Sequence, residues 1–139
     1  GTGQGKVGYG TCEALIGADG KYTAAEPATG SMSNAPGCRW ADSEDGFTQF
    51  FTHAPPNAAR CSVHQENWQN NPASSYHPGG AVMTHVDGSV KFYNDNIDAG
   101  DPTHSQTGWS NANGYSGASQ RGVLGALGSM NGGEVASTP

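Results

Sequence analysis

A mainly β domain with long loops and short helices is the fold class this sequence predicts, and three observations predict it. Glycine is frequent, 22 of 139 residues, with 8 prolines beside it, so the chain is punctuated into short runs. Only 34% of residues are hydrophobic and 13% charged, which supplies a modest core but too little charge to hold the chain open by self-repulsion. Finally, GAVMTHVDGSVKFYN over residues 80–94 places two runs rich in Val, Thr and aromatics around Asp87-Gly88, a hairpin signature. The length fits one domain over 1–139 that buries roughly two thirds of its unfolded surface.

Taken in order, residues 1–11 are Gly-rich and show no periodicity. Their glycines do not make a dinucleotide loop, because no strand precedes them and no helical pattern follows. Glu13 to Ile16 form a short apolar patch ended by Gly17 and the Asp19-Gly20 turn signal, and residues 23–37 read as loop. In the next run, Trp40, Phe47, Phe50 and Phe51 are interrupted by Asp42, Glu44, Asp45 and Gly46. That pattern predicts a bend between strands. Residues 52–75, with Pro55-Pro56-Asn57, read as loop with room for one short helix.

The hairpin follows. A two-residue type I′ turn at Asp87-Gly88 needs positive φ at both positions. It would set His85 opposite Val90, Met83 opposite Phe92 and Val82 opposite Tyr93. Ala81, Met83, His85, Val90 and Phe92 then form the expected core face. Val82, Thr84, Val86, Lys91 and Tyr93 form the other. After an acidic segment (residues 94–101) and a polar loop to about residue 119, GVLGALG (residues 122–128) predicts one or two helical turns stopped by Gly128.

The net charge is −6, and the six Lys and Arg are scattered singly, so no basic stripe tracks nucleic acid or an anionic membrane surface. No run is long and apolar enough to span a bilayer, and no signal peptide is visible at Gly1. The expectation is a soluble chain, or one whose export and anchoring segment lies upstream. Cys12, Cys38 and Cys61 lack CxxC spacing. In an exported protein two would pair, and Cys38–Cys61 is the favoured bridge, the other pairings staying open. Closing that loop contributes about 3 kcal/mol in the chain-entropy model.

No residues present a catalytic or cofactor-binding constellation. Asp87-Gly88 is turn chemistry, and His77, ahead of Pro78-Gly79-Gly80, is expected to hydrogen-bond nearby backbone. The two flank one strand, too far apart for a His–Asp dyad. The five histidines (His53, His64, His77, His85, His104) lack zinc spacing, and no cofactor is expected. Asp95, Asp98 and Asp101, with Asn96, make an oxygen-rich loop that is the weak calcium candidate. EF-hand spacing fails there, so a solvated acidic turn is preferred. Cys61 and His64 sit in Pro- and Asn-rich surroundings unsuited to a helical thiolate pair, and no Gly-x-Ser-x-Gly elbow is present. Trp40, Trp68, Trp109, Tyr76 and Tyr115 read as core pieces, with exposed sugar-stacking platforms as the alternative.

Three ordered blocks carry a family resemblance. SSYHPGGAVMTHVDGSVKFYNDNIDAGD holds His77, nine residues, then Asp87-Gly88. RWADSEDGFTQFFTHAPPNAARC (Arg39–Cys61) and GVLGALGSMNGGEVAS (Gly122–Ser137) stand on either side. Together they span residues 38–137 and resemble the prepilin-like (pseudopilin-type) surface proteins of planctomycetes and related bacteria. Residues 1–37 match only loosely, and Leu124 replaces a usual aromatic. The resemblance implies a pilin-like head on an antiparallel sheet and an upstream apolar helix, missing here, with prepilin-type processing. It implies an exported location: cell surface, periplasm or extracellular. The implied role is a non-enzymatic structural or interaction subunit of a surface or secretion-associated assembly. Partners would be other pilin-like subunits or further copies, met through the missing helix, which is also the sole expected membrane contact. The alternatives are a secreted glycan-binding module and a metal-dependent hydrolase.

Overall fold

The computed structural model describes residues 9–23, 37, 39–43, 45–62, 69–103 and 119–129. Their order is α1 (Tyr9–Glu13), α2 (Asp45–Thr48), β1 (Cys61–Ser62), β2 (Gln69–Asn70), β3 (Gly80–Thr84), β4 (Val90–Asn94) and α3 (Gly122–Leu127). The strands form two antiparallel pairs, β1 with β2 and β3 with β4. The fold class is therefore the expected one, with antiparallel pairing, long loops and short helices. Alpha-helix appears where strands were expected: Asp45-Gly46-Phe47-Thr48 make a single turn, α2, and Phe47 is buried beneath it. Inside residues 52–75 the structure has the β1–β2 pair.

The predicted hairpin exists, shifted by one residue. Val82 faces Phe92, Met83 faces Lys91 and Thr84 faces Val90. The connection is a three-residue loop: Gly88 N–H donates to the His85 carbonyl at 2.9 Å and His85 N–H to the Ser89 carbonyl at 2.8 Å. Gly88 alone adopts positive φ, 82°, so Val86-Asp87 form an ordinary turn followed by one left-handed glycine, not a type I′ pair. The Asp87 carboxylate accepts from Ser89 N–H at 2.8 Å and fixes that arrangement. A one-residue shift exchanges the faces of the returning strand. Ala81, Met83 and His85 keep the expected inner side. Tyr93 joins them, only 3% exposed, while Val90 and Phe92 turn outward.

The remaining interior is small-residue and polar. Cys12, Phe47, Ala54, Pro56, Ala59, Ala81, Tyr93, Ala99 and Leu124 are buried, together with His53, Asn70 and Asn71. Side chains far apart in sequence satisfy the backbone there, as buried peptide groups require. Glu13 accepts from Ala59 N–H at 2.6 Å, and Asn70 donates to the Ala59 carbonyl at 2.5 Å. Asn71 donates to the Gln49 carbonyl. Cys12 of α1 is bridged to Cys61 of β1, their Cα atoms 5.6 Å apart. This corrects the expected Cys38–Cys61 pairing, since Cys61 is already committed; Cys38 lies outside the described residues. The predicted C-terminal helix forms as α3 and buries Leu124, whose N–H donates to the Asp98 carbonyl at 3.0 Å.

Candidate interaction face on the hairpin

Asn57 positions the hairpin. It follows Pro55-Pro56 and is the one non-glycine residue with positive φ among those described, at 59°, a conformation Asn tolerates well. Its side-chain oxygen accepts from Ser75 N–H at 2.7 Å and its amide donates to Asp95 at 2.8 Å. One residue thereby ties the segment leading into β3 to the segment leaving β4. Asp95 N–H closes the same end onto the Gly79 carbonyl at 2.9 Å. Pro-Pro-Asn read as loop in the sequence, and this anchoring role was missed. A turn-forming Asn preceded by two prolines, which fix the approach, was the available signal.

The two faces of the hairpin differ sharply. On the inner one, Ala81 and Tyr93 are cross-strand partners, both buried. The Tyr93 hydroxyl lies 2.5 Å from His85 Nε2, so its polar end is satisfied, and burial raises its pKa. The outer face carries Val82, Val90 and Phe92, exposed by 62%, 61% and 55%. Thr84 and Asn94 are the remaining side chains there, and none of the five is charged. A Cβ at Gly80 would stand 2.7 Å from the Phe92 ring tip and 2.1 Å from the Tyr93 carbonyl. The ring thus lies over a glycine that no other residue can replace without moving backbone.

His77 and Asp87 stand beyond opposite ends of β3. Four residue steps within that strand already span roughly 13 Å. His77 is exposed, and its backbone N–H donates to the Ser75 hydroxyl at 3.0 Å. Hydrogen bonds from the Ser89 side chain and backbone lower the Asp87 pKa. Asp95, Asp98 and Asp101 are not gathered into a metal cluster; among the described residues no group of three His, Cys, Asp or Glu side chains could hold an ion. Each serves local backbone or a neighbour: Asp98 accepts from Gly100 N–H, Asp101 from Thr103, and Asp95 from Asn57. His64 and His104 lie outside the described residues. His53 is buried, and desolvation pushes its pKa down to about 4, opposed by the Asn70 side chain and assisted by the Arg121 charge.

The aromatics divide. Trp40 is 85% exposed and Tyr76 wholly so, which corrects their reading as core pieces; Trp68, Trp109 and Tyr115 lie outside the described residues. No described helix is long and apolar enough to cross a membrane.

Residues 4–100 match the family SBP_bac_10, described as a protein of unknown function (DUF1559). No curated protein and no solved structure matches the chain. The match covers more than half the sequence, from within the loosely resembling opening segment into the acidic segment that follows the hairpin. The chain belongs to this family, one of bacterial surface proteins.

Proposed function

We propose that this DUF1559 chain is a non-enzymatic structural or interaction subunit of a pseudopilus-like assembly at the bacterial surface, with the outer hairpin face as a contact between copies. One observation carries the reading: three apolar side chains, Val82, Val90 and Phe92, stand exposed together on a face without charge. Exposed apolar clusters on rigid sheets favour association. Charge also selects this face. Two copies each carrying −6 repel over most of their surface, and an uncharged patch is where they approach at least electrostatic cost. The residues that mark the family resemblance, His77, Asp87 and Gly88, serve turns and strand ends in this account, not a reaction. A bridge between Cys12 and Cys61 fits the oxidising compartment of an exported protein.

The test is a triple variant, Val82→Thr, Val90→Thr and Phe92→Thr, which keeps strand propensity and removes the apolar face. Sedimentation across a concentration series, and recovery of surface assemblies from cells in which the variant gene replaces the natural one, should both show loss of association. The circular dichroism spectrum should stay unchanged. Association at the wild-type level would remove the hairpin face from the proposal.

A further inference from the structure

A second surface, remote in sequence from the hairpin, has the make-up of a ligand site. Asp42 N–H donates to the Arg39 carbonyl at 3.0 Å, closing a turn with Trp40 and Ala41 at its centre. The turn is held from several directions. Arg39 lies over the buried Phe47 ring, 4.9 Å from its centroid, and pairs with Asp42 at 3.6 Å. The Thr48 hydroxyl donates to the Asp42 carbonyl at 3.1 Å, and the Gln49 amide to the Ser43 carbonyl at 2.7 Å. Gly37 N–H reaches the Phe47 carbonyl at 2.7 Å. Fixed in this way, the turn presents an indole 85% exposed. Beside it is a shallow cavity of about 480 Å³ lined by Arg39, Trp40, Ala41, Asp42 and Ser43.

We propose that this turn binds an uncharged polysaccharide. An indole offers a broad apolar face on which the C–H face of a sugar ring can stack. Arg39 supplies donors and Asp42 acceptors in one small space, the pairing that vicinal hydroxyls, themselves donor and acceptor, require. Both side chains remain accessible, 45% and 35% exposed. Their opposite charges cancel, so the site has no net attraction for phosphate, sulfate or uronate. The cavity volume lies within the range of small-ligand sites, about 300–1,000 Å³. Because the turn is already ordered by its bonds to α2, little conformational freedom is lost on binding.

Affinity electrophoresis of the whole chain through gels containing soluble glucan, mannan or galactan tests this, with a polyuronate gel as the charged comparison. At least one neutral polymer should retard the protein, and Trp40→Ala should weaken that binding by about tenfold or more, equivalent to about 1.4 kcal/mol. Trp40→Phe should retain an intermediate affinity, which loss of folding would not produce. The threonine variants of the hairpin face should bind as the wild type does, so the two surfaces are judged separately. No retardation in any neutral gel, retardation by polyuronate alone, or unchanged binding by Trp40→Ala would overturn the proposal.

Discussion

The hairpin and the segment that runs from α1 to β2 are held together by opposite means. Within the hairpin the contacts are local: the β3–β4 ladder, the Gly88 turn and the Asp87 cap join residues within about fifteen positions of one another, and the Asn57 anchor at its open end is the long-range tie. In the α1–β2 region they are distant. Cys12 reaches Cys61, Glu13 reaches Ala59 and the Tyr22 hydroxyl reaches the Arg60 carbonyl. One region is specified by turn chemistry and strand propensity. The other is specified by covalent and polar cross-links between segments with little secondary structure of their own. A chain poor in large apolar side chains can still be ordered where its backbone groups find partners, as Asn70 and Asn71 provide.

The comparison is tested most severely at the bridge. Replacing both Cys12 and Cys61 by Ser opens a loop of sequence separation 49. It should cost about 4 kcal/mol, lowering Tm by roughly 10–15 °C for a chain of this size. Hydrogen exchange should quicken around residues 59–62 before it does in β3 and β4. Equal acceleration in both regions would break the contrast.

His53 sharpens it through pH. Its folded pKa lies at about 4 against an ordinary 6.5, so the unfolded chain takes up the proton first. The stability from keeping it neutral is complete above about pH 6.5, falls as pH drops through that window, and is fully lost below about pH 4. The loss amounts to at most about 3 kcal/mol. Urea unfolding from pH 7 to 4 should show the decline, and His53→Phe, which cannot titrate, should flatten it. A slope unchanged in the variant would assign the acid sensitivity elsewhere.

The smallest effect belongs to the hairpin. Gly88→Ala meets no neighbouring atom, so its cost is the left-handed backbone alone, about 1 kcal/mol. A loss of more than about 2 kcal/mol, measured by urea unfolding, would mean that the turn carries more than local strain.

The same contrast explains what could be read from the sequence. The hairpin and α3 were legible because Asp-Gly between β-rich runs, and apolar spacing ended by glycine, are short-range signals. The register was not. Asp-Gly serves both a two-residue and a three-residue loop, and the choice rests on which aromatic of β4 is better buried. Tyr93 takes the inner position with His85 against its hydroxyl, a contact that alternation alone does not reveal. The Cys12–Cys61 bridge and the Asn57 anchor depend on distant meetings, and spacing carries no record of them. The sequence reads Trp40 as core because large aromatics usually are, yet it occupies the centre of a tight turn closed by Arg39 and Asp42, which leaves the indole 85% exposed.

The link from α1 to β1 also makes a covalent ring of the chain between positions 12 and 61. A protease that severs any one peptide bond inside that ring releases nothing: both fragments stay joined through sulfur until a reductant arrives. For a bacterial surface protein that meets a protease, a single nick would then be damage without departure.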